Sequence, residues 1–455
     1  MTKLNTRYED TIAQVSTALA NNAISIIKVS GTDAISIVSK IFSKDLNKVK
    51  SHTVHYGYIK DCSDTIDEVL VTVYRSPKSF TKEDVVEINC HGGIFVTNKV
   101  LELVLANGAR EALPGEFTKR AYLNGRIDLT QAEAVMDMIE ANTNNSLKLA
   151  NLGLSGETKK LIKSFRDEVL QIMLQIEVNI DYPEYEDEVQ ITNEKLYPAL
   201  KALLTKIDEV IKKSEISQVI KNGIKTAIVG KPNVGKSSLL NALLREDKAI
   251  VTNIAGTTRD IVEGEVNIGG IVLKLVDTAG VRDTLDVVEK IGVEKSKKAL
   301  SEASLVILVL DNNQALDEVD KELLDISKDK MRVIVVNKKD LDNKLNLNSL
   351  DNYVLMSAYD SEDISKLEKE IKRLCNISDA LNIDASYIGN ARQIAKLKDA
   401  KRNLEDAVVS LDNKMPVDIA NIDINNAWVN LGEIIGEVSS EELIDELFSR
   451  FCLGK

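Results

Sequence analysis

At 455 residues the chain is too long for one hydrophobic core, so two to three domains are expected. Its 44% hydrophobic and 28% charged residues are ordinary for a soluble globular protein, and the 4% of aromatics leaves the cores to Leu, Ile, Val and Ala. A net charge of -13 excludes a broad non-specific nucleic-acid surface, though not a local basic patch or RNA held with a partner's help. Cys62, Cys90, Cys375 and Cys452 show no Cys-x-x-Cys spacing, and only His52, His55 and His91 could assist them, which argues against a zinc site or a disulfide framework. No apolar leader opens the chain, and its longest apolar run, Leu305 to Leu310, is far short of a membrane span. A cytoplasmic protein is expected, with neither membrane nor DNA as a partner.

In chain order, β-like runs at 23–29, 68–74 and 85–88 alternate with helical stretches at 32–42 and 94–107, an α+β pattern. From about 128 the texture turns helical. Ile162, Phe165, Val169, Ile172, Ile176 and Ile180 recur at three- and four-residue steps along one face. An acidic stretch, 181–188, interrupts it, and helix resumes to about 216. Strand candidates at 224–229, 271–276, 304–310, 332–336 and 353–356 then alternate with helical sequence, which builds a mainly parallel sheet. After 378 helix returns over 387–410 and 426–450. The economical arrangement is an α/β domain inserted into a helical one, with the last segment packing beside 128–216.

The stretch Gly230-Lys231-Pro232-Asn233-Val234-Gly235-Lys236-Ser237 fits G-x-x-x-x-G-K-[ST] between a strand and a helix beginning at Ser238. Its glycines let the backbone wrap a phosphate chain, and the helix N-terminus adds its positive dipole end. Lys236 is placed to reach the β- and γ-phosphates and the Ser237 hydroxyl to ligate Mg²⁺. Asn337-Lys338-Lys339-Asp340 follows the strand 332–336. Asp340 can accept from the guanine ring N–H and exocyclic amine, Asn337 can serve the opposite edge, and Ser357-Ala358 suits the remaining contact. Adenine would leave the carboxylate unpaired, at a cost of roughly 1–3 kcal/mol. The expected ligand is GTP or GDP.

Asp277-Thr278-Ala279-Gly280 ends the strand 271–276. Asp277 would hold the Mg²⁺ shell through water, and the Gly280 amide would meet the γ-phosphate. Thr258, in the polar loop Gly256-Thr257-Thr258-Arg259-Asp260, is the second expected Mg²⁺ ligand. Where small GTPases carry a water-orienting Gln beside this glycine, Val281 stands here and cannot hydrogen-bond water. Another group must act, and Asp283, Asp286 and Glu289 are the downstream candidates.

These signatures together resemble the bacterial tRNA-modification GTPase family MnmE (TrmE). Leu113-Pro114-Gly115-Glu116-Phe117-Thr118-Lys119-Arg120-Ala121 with Asn124-Gly125-Arg126-Ile127-Asp128-Leu129 is similar to that family's junction between N-terminal and helical domains. Ser79–Asp84 with His91-Gly92-Gly93, and the terminal Phe451-Cys452-Leu453-Gly454-Lys455, are similar too. The likeness spans essentially the whole chain. It implies a multi-domain α/β protein: an α+β dimerisation and folate domain over 1–120, a helical domain over 121–217 and 379–455, and an inserted Ras-like P-loop GTPase domain over 218–378.

The resemblance further implies a homodimer that forms a heterotetramer with FAD-dependent MnmG and installs an aminomethyl-type group on carbon-5 of the wobble uridine of certain tRNAs. A 5-formyltetrahydrofolate-type cofactor would supply the carbon. It implies K⁺ held by Asn233, Thr252, Ile254 and Thr257, and water positioned by Glu289. The nucleotide-contacting set becomes Asn233 to Ser238, Thr252 to Thr258 (with Asn253, Ala255 and Gly256), Asp277 to Gly280, Asn337 to Asp340, Ser357 and Ala358. Catalysis would fall to Glu289, Lys236, Thr258 and Gly280. Folate would be held by Lys28, Glu87, Arg126 and Lys455, with His91 a turn residue near that pocket and Cys452 either a nucleophile or a small residue closing it. In the family Arg is usual at Lys28, Lys frequent at Arg126, and a Gly-rich segment replaces Ala18–Asn22. The function of another class that remains is a regulatory or ribosome-assembly GTPase switch that binds RNA without chemistry on it.

Overall fold

The computed structural model describes residues 10–181, 196–245, 264–268, 270–276, 300–375, 384, 386–438 and 440–454. The chain forms two compact units: one runs up to Met136 and resumes at Val429, and the other is Asp137–Trp428.

The first unit holds a six-stranded sheet of β1 (Ile12–Val15), β2 (Ile24–Ser30), β3 (Thr53–Asp61), β4 (Asp64–Tyr74), β5 (Val85–His91) and β6 (Arg110–Glu111), ordered β3-β4-β5-β2-β1-β6. All neighbours are antiparallel except β1 and β6. Alternation puts Ile27, Val29, Val69, Val71, Val73, Val86 and Ile88 on one face. There they pack against α1 (Ala34–Ile41) and α2 (Ile94–Ala106) through Ile35, Val38, Val100 and Val104. Each such buried aliphatic side chain contributes about 1.5–3 kcal/mol. The opposite face is open. Register aligns Val54, Thr72, Glu87 and Lys28 in one row and Tyr56, Leu70, Asn89 and Ile26 in the next, and Ile24, Val54, Tyr56, Tyr58 and Leu70 are exposed.

Next come α3 (Glu116–Leu123) and α4 (Leu129–Glu140). They are covered by residues from the far end of the chain: Ile444, Phe448 and Phe451 pack with Tyr122, Ile127, Ala132 and Met136. The Gly115 amide donates to the Cys452 carbonyl at 3.3 Å, and Ser16 Oγ donates to the Gly454 carbonyl at 3.1 Å. Gly454 has a φ of +82°, and a Cβ there would stand 2.3 Å from the Val15 carbonyl oxygen, so only glycine closes this contact.

In the second unit, α5 (Asn144–Leu154) starts at a Thr143–Ser146 capping box. It leads into α6 (Glu157–Asp181), whose Ile162, Phe165, Val169, Ile172 and Ile176 are buried as the periodicity predicts. After α7 (Tyr197–Asn222) come β7 (Ile224–Val229), α8 (Lys236–Arg245), β8 (Glu265–Ile268), β9 (Ile271–Leu275), β10 (Leu305–Asp311), α9 (Glu318–Ile326), β11 (Met331–Asn337), β12 (Tyr353–Leu355) and α10 (Ser361–Leu374). Strand order is β12-β11-β10-β7-β9-β8, parallel throughout except β8. β10 is buried at every position because helices cover both faces, with Leu305, Ile307 and Val309 in one core and Val306, Leu308 and Leu310 in the other.

The remaining helices are α11 (Ala391–Asp412), α12 (Val417–Ile435) and α13 (Glu441–Ser449). α11 runs antiparallel to α7: Gln218 reaches the Gly389 carbonyl, Lys398 pairs with Glu215, and Lys401 pairs with Asp208. The helix predicted over 426–450 is two helices, broken at Gly436 with a φ of +80°. Four strands escaped the sequence reading: β1, β3, β6 and β8.

Candidate nucleotide site

β7 delivers the phosphate loop at the carboxyl end of the parallel sheet, where ligands of such sheets bind. At Gly230 the chain crosses against β10 so closely that a Cβ would lie 2.3 Å from the Val309 carbonyl oxygen. Asn233 is exposed with a φ of +63°, a left-handed conformation Asn tolerates. Gly235 has a φ of +99°, and a Cβ there would meet Asn337 Nδ2 at 2.1 Å. These glycines leave a cradle that side chains would fill, and Lys236 and Ser237 open α8 beyond it. That fits a phosphate chain.

Lys236 Nζ donates to the Gly230 carbonyl at 2.7 Å and the Lys231 carbonyl at 2.6 Å. Neutral carbonyls do not balance its charge, and burial pushes the ammonium down to about 8. Bound phosphates would raise that value. The sign follows by linkage: the Lys236 contribution to affinity is complete below about pH 8 and is lost as pH rises above it. Titrating GTP binding from pH 7 to 9.5 should therefore show weakening that Lys236→Ala abolishes. A flat profile in the parent protein would overturn this assignment.

The second loop is bolted to the first. The buried Asn337 donates through Nδ2 to the Val234 carbonyl at 2.9 Å, and its Oδ1 accepts from the Ala358 amide at 3.1 Å. One carboxamide thus joins the phosphate loop, the end of β11 and the segment after β12. Lys338 Nζ pairs with Asp311 at 2.7 Å, and Lys339 Nζ with Asp363 at 2.8 Å. Burial works to raise the Asp363 carboxyl, but Lys339, Lys366 and the Ser357 amide hold it at about 2. Asp340 stands exposed at the end of this fixed loop. Lys231 bridges to Asp317 (2.9 Å) and Asp320 (2.7 Å) at the α9 N-terminus.

The structure thus brings together Asn233 to Ser238, Asn337 to Asp340, Ser357 and Ala358. Thr252 to Thr258 (among them Asn253, Ile254, Ala255, Gly256 and Thr257), Asp277, Thr278, Ala279, Gly280, Val281, Asp283, Asp286, Glu289 and Lys455 lie outside the described residues. Sequence reading missed Asp311, Asp363 and Lys231, whose roles are set only by the fold.

A second cluster of charged and aromatic residues lies in the first unit. Lys28 and Glu87 are direct cross-strand partners on the open face of the sheet. Lys28 Nζ sits 5.6 Å from the Phe80 ring centre and 5.4 Å from that of Phe117; the Arg126 guanidinium lies 4.9 Å from the Phe80 ring centre. Tyr74 donates to Glu87 at 3.4 Å. Of the predicted folate set, Lys28 and Arg126 thus share the Phe80 ring, and Glu87 stands across the strand from Lys28. His91 is the last residue of β5, its Nδ1 2.6 Å from the Asp67 carboxylate, which raises its pKa. Cys452 is exposed. Among the described residues no metal-holding cluster occurs, and no helix is long and apolar enough to cross a membrane.

Fold and site together define a P-loop GTPase domain carried within a larger multi-domain protein. The family model for the MnmE helical domain matches residues 129–452, and that for the GTP-binding protein TrmE N-terminus matches 11–126. The tRNA modification GTPase MnmE of Acholeplasma laidlawii is 51% identical over 98% of this chain and 99% of its own length. That of Streptococcus thermophilus is 50% identical over 99% of each. Among solved structures, the G domain of T. maritima FeoB aligns at 25% identity over 33% of this chain and 98% of its own, at a TM-score of 0.24. The chain belongs to the MnmE family of tRNA modification GTPases.

Proposed function

We propose that the protein is a potassium-dependent, cytoplasmic GTPase that acts with an FAD-dependent MnmG-type partner as a heterotetramer. Together they install an aminomethyl-type group on carbon-5 of the wobble uridine of certain tRNAs, using a tetrahydrofolate one-carbon unit. The observation that carries this reading is the presence of two built sites in one chain, the phosphate cradle and the Lys28–Glu87–Arg126 cleft. A simple GTP switch needs only the first. The exposed apolar strand face of the first unit (Ile24, Val54, Tyr56, Leu70) supports a homodimer joined there.

In this reading Lys236 holds the β- and γ-phosphates, Ser237 and Thr258 hold Mg²⁺, and the Gly280 amide meets the γ-phosphate. Asp340 reads guanine, and the bolted Asn337 keeps it in place. Asn233, Thr252, Ile254 and Thr257 would hold K⁺, which when bound supplies the charge neutralisation an arginine finger supplies elsewhere. Asn233, exposed and left-handed in the loop, is accessible to such an ion. Glu289 positions the attacking water in place of the glutamine that Val281 replaces. Glu87 suits the donor edge of a pterin, while Lys28, Arg126 and Lys455 suit the glutamate carboxylates.

Nucleoside analysis of tRNA from cells lacking this chain tests the function: the wobble-uridine modification should disappear, and its persistence would leave only a regulatory switch. For the mechanism, exchanging K⁺ for Na⁺ should slow GTP turnover more than about tenfold. Glu289→Ala should slow the same turnover at nearly unchanged GTP affinity. Equal rates in the two salts would remove Asn233 from its role.

A further inference from the structure

The folate cleft continues past Arg126. A cavity of about 470 Å³, lined among others by His52, Tyr74, Lys78, Phe80, Lys82 and Arg126, runs along the rim of the sheet. Its size lies within the range of small-molecule sites. One end is aromatic and abuts Glu87 through the Tyr74 hydroxyl. The other end is cationic, and its charges are not balanced: Lys78, Lys82 and Arg126 form no ion pair with a carboxylate among the described residues.

Two of these cations are fixed in place by neutral groups. Lys82 Nζ donates to the Asn124 carbonyl at 3.1 Å and the Gly125 carbonyl at 2.9 Å. Arg126 donates to the Phe80 carbonyl at 3.3 Å while stacking on its ring. Carbonyls orient an ammonium or guanidinium without neutralising it. Of the nearby carboxylates, Glu83 is paired with Arg120, while Asp84 accepts from the Ser76 amide and Glu87 from Tyr74 without forming an ion pair with these three cations among the described residues. A cleft with a flat end and a strip of oriented, unneutralised cations is complementary to a ligand that is flat at one end and polyanionic at the other.

We propose that the Lys78–Lys82 end of this cleft binds the γ-linked polyglutamate tail of the folate, so that the protein selects polyglutamylated over monoglutamyl cofactor. The proposal rests on the folate reading. A monoglutamyl tail carries two carboxylates, which Arg126 and its immediate neighbours can satisfy; each added residue brings one more carboxylate toward Lys82 and Lys78. Because these contacts lie at the surface, the preference must fade as salt screens them.

The test is calorimetric titration of the full-length protein with 5-formyltetrahydrofolate bearing one or five glutamates, at about 0.05 and 0.3 M salt. The pentaglutamate should bind about tenfold tighter at low salt, with a smaller margin at high salt. Lys78→Ala should lower pentaglutamate affinity about fivefold more than monoglutamate affinity, and Lys78→Glu more again. Equal affinities for the two folates would overturn the proposal. So would a Lys78→Ala protein that keeps the preference and loses tRNA affinity, since the strip would then hold RNA phosphates. If neither folate binds, the folate reading itself falls, a result distinct from equal binding.

Discussion

Asp340→Asn should weaken GTP binding by about a hundredfold or more and admit xanthosine triphosphate in its place. The size of the effect comes from pairing. As a guanine reader the carboxylate would accept from two N–H groups, whereas a carboxamide in the same place can accept only one and turns a donor toward the other. Xanthine offers a carbonyl where guanine has its amine, so the new N–H finds an acceptor there. Fold and loop should survive, because Asp340 is exposed and the loop is held by its neighbours: Asn337 in its two hydrogen bonds, Lys338 on Asp311, and Lys339 on Asp363. Titration with fluorescent GTP and XTP decides it, and unchanged preference for GTP would discredit the guanine assignment. Asn337→Ala is the contrasting variant. It unties the phosphate loop from the base loop, so affinity for both nucleotides should fall together.

Arg120→Met should destabilise the first unit by about 3–5 kcal/mol. Arg120 is fully buried and holds three carboxylates: Asp10 at 2.8 Å, Glu116 at 3.0 Å and Glu83 at 3.3 Å, with a further bond to the Asp10 carbonyl. Methionine keeps much of the volume but leaves Glu83, itself largely buried, without its cation. A surface control belongs beside it. Arg450 pairs with Glu446 where both are exposed, so Arg450→Ala should cost less than about 1 kcal/mol. Thermal unfolding should show a transition lowered by about 10 °C for the first variant and hardly moved for the second. Equal shifts would show that the buried network carries no special weight. Glu83 also closes the segment bearing Phe80, so Arg120→Met should weaken binding in the Lys28–Arg126 cleft as well.

The two sites differ in how far residue order alone disclosed them. The phosphate loop was legible because its chemistry is local: a strand, two glycines, a lysine and a helix start, contiguous in the chain. The Asn337 bolt was not. Its side chain meets Val234 across about a hundred positions, and only the parallel pairing of β7, β10 and β11 brings them together. In sequence Arg120 is only one residue of the junction motif, and nothing near it announces a fully buried guanidinium. β3 escaped for a related reason. Its large apolar residues, Val54, Tyr56 and Tyr58, lie on the open face, while His55, Gly57 and Ile59 take the helix side, so the strand carries no simple apolar-in alternation. β1 and β6 are four and two residues long, too short for a period to declare itself. Gly436 was a visible breaker, yet the apolar spacing on either side carried one helix through it.

The cover that Ile444, Phe448 and Phe451 place over Tyr122, Ile127, Ala132 and Met136 has a temporal consequence. The first unit is interrupted by Asp137–Trp428, a span of 292 residues. At about 5–20 residues per second, a ribosome needs roughly 15–60 s to traverse it. For that interval the face of α3 and α4 that will receive α13 is naked while the nucleotide-binding sheet is already emerging. The whole of the GTPase unit is therefore synthesised before the first unit receives the helix that completes its own core.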